Sequence, residues 1–282
     1  MENQRVNPLA GHFRQPAIYL KLPSRGRWWG ENALNMPANG ELPVFPMSAK
    51  DEIILRTPDA LLNGQGLVDV IQSCCPNIQD AWLMPSIDVD AVLIAIRIAT
   101  YGNSMSFDSK CPHCGESNTH EVDLGSTLSK LETPDYGQIL NYKDLKIKLK
   151  PQHYFKANQT NMMEFEEQKL ITLINSSDLD ADAKAQQITA GVEKMLKLGI
   201  QSCAHSTEYV ELADGTRVTD SDFIDEFYQN SESSVIKLLR EKVAEFVEVA
   251  KPKGLTLICQ GCASSYPVDL TFDYSNFFGS GF

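Results

Sequence analysis

The sequence predicts an α+β fold: a short-stranded N-terminal domain with a buried helix, interrupted by a mainly helical insertion and completed by a second short-stranded piece. Three observations carry this. The stretches CPHCG (Cys111, Cys114) and CQGCA (Cys259, Cys262) are CxxC knuckles at opposite ends of a long middle segment. Residues 91–99 are apolar at nearly every position, as a helix buried all round requires. Between residues 160 and 251 the apolar residues recur mainly at helical spacing. The predicted boundaries are 1–125 for the first domain, 126–254 for the insertion, and 255–282 for the segment that returns to the first domain.

Taken in order, residues 1–15 form a polar lead-in and residues 17–22 a short strand ending at Pro23. Trp28 and Trp29 are adjacent, so in an extended chain they point to opposite faces. They are candidates for partner contact, with packing on their own domain as the alternative. Leu42, Val44 and Met47, separated by Pro43 and Pro46, read as an irregular edge strand after the Asn39-Gly40 turn. Residues 53–55 read as another short strand. Thr57-Pro58-Asp59 has the composition of a helix start: N-cap, first-turn proline, and an acid at the positive end of the dipole. Leu67, Val70 and Ile71 give a helical face closed by Pro76. Ser86 is the expected cap of the all-apolar helix, with Asp88 and Asp90 in its first turn and Gly102 ending it. Arg97, its one charge beyond the first turn, is expected to pair with an acid or reach the surface.

Met105 and Phe107 lead into the first knuckle, Val122 and Leu124 follow as a strand, and a loop crosses to Asp144. LKIKLK (145–150) alternates strictly, with Leu145, Ile147 and Leu149 inward and its lysines on a solvated or edge-guarding face. Helices are predicted at 161–174 and 181–198, with Gly199 ending the second. A hairpin follows around Asp214-Gly215. Ser221 caps 223–228, a last helix carries Val235, Leu239, Val243 and Phe246, and 255–258 is a strand into the second knuckle. The tail holds Phe277, Phe278 and Phe282. Flexible tails are depleted in aromatics, so these side chains dock either in a neighbour's groove or back on their own domain.

Each knuckle is followed by a similar phrase, HEVDL or YPVDL, at spacings that differ by two residues. Two knuckles leading into short strands are what a zinc ribbon needs, because thiolates bind Zn²⁺ tetrahedrally and a CxxC turn puts two sulfurs on one metal. The predicted ligands are Cys111, Cys114, Cys259 and Cys262. Four thiolates leave no open coordination position, so such a site is structural and not catalytic. The alternatives are a redox pair, a disulfide, or buried metal-free thiols. A redox CxxC normally stands alone beside a βαβ unit, and here there are two. His113 and His120 are near enough in sequence to substitute for a cysteine, against an ordinary solvated role.

The chain has 282 residues, 43% hydrophobic and 22% charged, with a net charge of −12. That is enough to bury a core, and the acidic balance opposes phosphate binding while suiting a protein that docks on other proteins. The N-terminus lacks a secretory apolar region, and the seven cysteines are an odd number, so the thiols are expected to work in a reducing cytoplasm. No apolar run is long enough for a bilayer. There is no phosphate-cradling glycine loop, no supported Ser-His-Asp order, and the five histidines form no ligand cluster.

The stretches NGELPVFPMSAKDEIILRTPDALLNG and VIQSCCPNIQDAWLMPSIDVDAVLIAIRIATYG, followed by CPHCG, resemble the T-even bacteriophage baseplate protein family. The resemblance covers residues 16–125 well and the rest more weakly. That family is associated with the central hub of contractile tails. The resemblance implies a non-enzymatic hub component or a chaperone-like assembly factor. Its partners would be hub, tail or tape-measure proteins, and its location the host cytoplasm during assembly or the virion baseplate. The competing reading is a zinc-ribbon nucleic-acid-binding protein, contacting phosphates through the lysines at 146–150.

Overall fold

The computed structural model describes residues 8–56, 64–176, 180–268 and 277–278. Its buried apolar residues fall into a first core, a second core and a small cluster around the cysteines.

The first core is built on helix α3 (Ser86–Tyr101), which buries Val89 and every residue from Ala91 to Arg97. Around it lie β1 (Ile18–Leu20) and β2 (Leu42–Val44), paired antiparallel, together with α1 (Ala49–Leu55) and α2 (Gln65–Cys74). Residues 53–55 are therefore helical and not the strand expected. Ser48 caps α1 by accepting from the Asp51 backbone N–H, while Asp51 accepts from the Ser48 backbone, so a local capping box overrides the β preference of the isoleucines. Arg14 then bonds Asp51 at 3.0 Å and the Ser73 carbonyl at 2.8 Å, fastening the lead-in to both helices. The helix start expected at Thr57 lies outside the described residues.

Helix α3 departs from expectation at its N-cap. Pro85, not Ser86, stands at its N-cap. Asp88 does not face solvent at the helix start: it is fully buried and accepts from the Ser24 backbone N–H at 2.8 Å, from the Ser24 hydroxyl, and from Trp29 Nε1 at 3.0 Å. Burial outweighs these donors and pushes its carboxyl up to about 6. Arg97 is also buried, with its guanidinium 5.3 Å from the Tyr101 ring centre and 5.4 Å from that of Phe277.

Two hairpins carry the cysteines: β3 (Ser104–Lys110) with β4 (Ser117–Asp123), and β9 (Leu255–Ile258) with β10 (Ser265–Val268). Leu124 opens the short helix α4 (Leu124–Ser129), because Asp123 caps it through the Gly125 and Ser126 N–H groups. The expected loop up to Asp144 thus contains α4 and a strand, β5 (Ile139–Tyr142).

The second core lies between a four-stranded sheet and helices. The strand order is β5, β6 (Leu145–Leu149), β7 (Thr207–Glu211) and β8 (Arg217–Val218). Ile147 and Leu149 are buried as the alternation predicts, but β6 is an inner strand, so its lysines do not guard an edge. The long helices α5 (Tyr154–Ser176) and α6 (Ala181–His205) pack as a hairpin, followed by α7 (Ser221–Gln229) and α8 (Ser233–Ala250). Both α5 and α6 run further than the periodicity indicated, α6 straight through Gly199. Asp220, and not Ser221, caps α7.

The two cores meet at residues 152–154. The Ser86 N–H donates to the Gln152 carbonyl at 2.8 Å, the Tyr154 N–H to the Met84 carbonyl at 2.7 Å, and Trp82 stacks on Tyr154 with ring centres 5.4 Å apart. The adjacent tryptophans straddle this junction: Trp29 packs on the first core and Trp28 on the second, where its ring lies 5.0 Å from Tyr136. Trp28 takes a left-handed φ of 63°, which rotates its side chain away from its neighbour's.

Candidate metal centre

The two cysteine hairpins fold alike. Lys110 faces Ser117 across the first turn and Ile258 faces Ser265 across the second, so residues 111–116 and 259–264 are equivalent loops. In the first, the Gly115 N–H donates to the Cys111 carbonyl at 2.9 Å, and the Cys111 N–H to the Glu116 carbonyl at 2.9 Å. In the second, the Ala263 N–H donates to Cys259 at 2.9 Å, and the Cys259 N–H to Ser264 at 3.0 Å. The residue after the second cysteine is left-handed in both, φ 76° at Gly115 and 57° at Ala263. Glycine adopts this readily, while alanine does so at a cost of roughly 1–2 kcal/mol. The HEVDL and YPVDL phrases do not superpose in this alignment. The equivalence lies in the turns, not in the strands that follow.

These turns bring all four sulfurs within 4.8 Å of one another. Cys111 and Cys262 stand 3.7 Å apart, and Cys114 and Cys259 stand 3.6 Å apart. Four sulfurs at about 2.3 Å from a central tetrahedral ion are about 3.8 Å from each other, so the donor set fits a four-coordinate thiophilic cation. The same distances are far beyond a disulfide bond of about 2.05 Å. The site is lopsided: Cys111 and Cys259 are buried, Cys114 and Cys262 exposed.

Polar groups in the turns favour ionised sulfur on one side. The Cys262 backbone N–H, followed by that of Gly261 and the Asn118 amide, draws the Cys259 thiol down to about 6 against the cost of desolvation. The Ser264 hydroxyl and backbone draw Cys262 down as well. At Cys114 the Glu116 backbone N–H also pulls down, but hydrogen bonds to the other three sulfurs hold its proton, up to about 12.

Each hairpin also reaches across to the other. Asn118 is buried; its amide donates to Cys259 Sγ at 3.5 Å, and its carbonyl oxygen accepts from the Gln260 N–H at 2.8 Å. At the equivalent place in the second hairpin, buried Tyr266 puts its hydroxyl 2.7 Å from Ser109 Oγ and 3.2 Å from His120 Nε2. Neither residue is marked by any cysteine-ligand spacing, and only their places relative to the two turns pair them. His113 is exposed and His120 is engaged with Tyr266, so the cluster that can hold an ion, among the described residues, is the four cysteines alone. The remaining cysteines are buried in the two cores, where burial pushes Cys74 up to about 12 and Cys203 up to about 11.

The aromatic candidates for partner contact fare differently. Phe277 and Phe278 are 4% and 6% exposed within the first core, so the tail packs back on its own domain there. Trp28 and Trp29 are half-buried at the junction of the two cores, and Phe282 lies outside the described residues. Of the lysines weighed for phosphate contact, Lys146 is bound to Glu211 at 3.0 Å.

No helix among the described residues is long and apolar enough to cross a membrane. No curated protein and no solved structure matches the chain. The profile of the T4 bacteriophage base plate protein family matches residues 35–279, which takes in α1 to α8 and both cysteine hairpins. The match extends well past the N-terminal phrases that carry the sequence resemblance, and on that extent this chain belongs to the T4 bacteriophage base plate protein family.

Proposed function

We propose that the chain is a non-enzymatic component or chaperone-like assembly factor of the baseplate hub, working through protein contacts and held in shape by one structural zinc ion. The observation that carries the zinc is the set of four sulfurs within 4.8 Å, contributed by two like-folded turns. The family match carries the baseplate assignment, and the net charge of −12 favours protein partners over nucleic acid.

In this reading residues 126–254 form an inserted unit. The zinc ties its start to its end, and the contacts at 152–154 fix its angle against the first core. Closing so long a loop gains little more entropy than closing a short one, because the cost grows by only about 0.6 kcal/mol per doubling. The gain is geometric: the insert is presented to the hub or tape-measure proteins in one orientation. Cys114 and Cys262, on the open side, are where a chelator or oxidant would first meet the metal.

Two measurements on the purified chain and on infected cells test this. Elemental analysis is expected to return one zinc per chain, and affinity capture during infection to recover tail or hub proteins. A metal-free protein that melts identically with and without added zinc would refute the structural site. Recovery of nucleic acid and no tail protein, retained at low salt and released by high salt, would favour the zinc-ribbon nucleic-acid reading instead.

A further inference from the structure

We infer that the four-cysteine centre is also a redox-sensitive clamp: a peroxide replaces the zinc ion with two disulfides, Cys111 to Cys262 and Cys114 to Cys259, and the two hairpins stay tied. The metal that is displaced rests on the structural-zinc reading above; the pairing of the sulfurs rests on geometry. The sulfurs that stand in hydrogen-bonding geometry belong to opposite hairpins, Cys111 with Cys262 at 3.7 Å and Cys114 with Cys259 at 3.6 Å. Each of these pairs joins a buried sulfur to an exposed one. The buried Cys259 sulfur is held in place by the Gly261 N–H at 3.3 Å and the Asn118 amide at 3.5 Å. A disulfide length of about 2.05 Å brings the sulfurs of each pair about 1.6 Å closer, a distance that side-chain rotation supplies.

The chemistry divides the work within each pair. Oxidation follows access, so a peroxide acts first at Cys114 or Cys262, the exposed sulfurs. One peroxide oxygen passes to the thiolate, giving a sulfenic acid, and the other leaves as hydroxide. The buried thiolate then attacks the oxidised sulfur: the S–S bond forms, the S–O bond breaks, and a second hydroxide leaves. The two sulfurs lose two electrons and the peroxide gains them. Once all four sulfurs are in disulfides none is anionic, and zinc is released. Each bond joins positions 151 or 145 residues apart, so it constrains the unfolded chain across the whole insert. A chain carried out of the reducing cytoplasm in a finished particle would thus keep its clamp where free thiols no longer persist.

Peptide mapping of the full chain tests the pairing. The chain is treated with two equivalents of hydrogen peroxide, one per bond, and its remaining thiols are alkylated before digestion. Trypsin cuts after Lys110, Lys130 and Lys253, so residues 111–130 carry one knuckle and the peptide that begins at Gly254 carries the other. The expected result without reductant is one linked species containing both peptides, with zinc released as it forms. The oxidised chain should melt above the reduced, chelator-stripped chain. Cys114→Ser with Cys262→Ser removes the sulfurs that meet the oxidant, and should abolish the link although Cys111 and Cys259 remain. Separate peptides, each closed on its own knuckle, or sulfinic acids without a link, overturn the inference, as does an oxidised chain that melts no higher than the stripped one. An untreated chain that carries no zinc refutes the zinc reading instead, and the peptide map still decides the pairing.

Discussion

Asn118 and Cys259 belong to different hairpins, yet the Asn118 amide donates to the Cys259 sulfur at 3.5 Å. The same side chain accepts from the backbone of Gln260. One buried amide thus orients a cysteine that arrives from far along the chain. In the proposed zinc site this contact would be outer-shell support of the kind on which structural metals depend.

Replacing Asn118 is therefore expected to weaken the centre without removing a ligand. Asn118→Leu keeps the volume but loses both bonds, and should lower zinc affinity by roughly 10–100-fold, the usual effect of losing an outer-shell partner. Competition with a chromophoric chelator reads this directly. An affinity equal to that of the unaltered chain would mean the sulfurs need no such support.

Zinc removal should loosen the whole junction between the hairpins. Cys111→Ser and Cys259→Ser, at the two buried ligands, are expected to release metal and lower the melting temperature, because binding energy at such sites is folding energy. Calorimetry with parallel metal analysis checks both halves of the statement.

Asp88 sets a pH dependence whose sign follows from burial. Its folded-state carboxyl lies at about 6 against an ordinary 3.8, so between those values the folded chain holds a proton that the unfolded chain has lost. Stability contributed by this group is present below pH 3.8 and declines as pH rises to about 6. The total is about 3 kcal/mol at 1.4 kcal/mol per unit. In Asp88→Asn that slope should vanish from denaturant titrations run across the same window. The variant should also be less stable at low pH, since donors address both oxygens, the Ser24 N–H one and Ser24 Oγ with Trp29 Nε1 the other, and an amide nitrogen at either place cannot accept.

Phe277 is a core residue and is expected to behave as one. Phe277→Ala should cost about 3–5 kcal/mol by opening a cavity beside Arg97 and the α3 helix. Equilibrium unfolding in urea measures it; a change under about 0.5 kcal/mol, normal for a surface position, would place this ring outside the core.

Glu167 and Lys194 should respond unequally to substitution. Glu167 is buried while Lys194 is largely exposed, so Lys194→Met strands a carboxylate away from water, whereas Glu167→Leu leaves only a solvated ammonium. The first change is expected to destabilise the α5–α6 hairpin by more than the second, as read by the two melting temperatures.

Local features of the sequence determined most of the elements. The unbroken apolar run announced α3 as a buried helix, the strict alternation at 145–149 announced β6, and Asp214-Gly215 announced the β7–β8 turn. The two CxxC turns named the four sulfurs that the fold brings together, because a candidate ligand set is a matter of residue type and short spacing. Where local signals competed, the sequence was less decisive. Ile53 and Ile54 have β preference, but the Ser48–Asp51 capping box made them helical, and Gly199 gave way to the packing of α6.

What only the tertiary structure decided was who meets whom over long separations. The meeting of Cys111 with Cys262, the crossing of Asn118 and Tyr266 between hairpins, and the burial of Asp88 under Ser24 and Trp29 leave no periodic trace. Each such contact depends on where two separately folded pieces come to rest, and that is set by the shape of the whole core. The tail makes the same point: Phe277 and Phe278 have a composition that suits a partner's groove or the chain's own interior, and the space beside α3 takes them in.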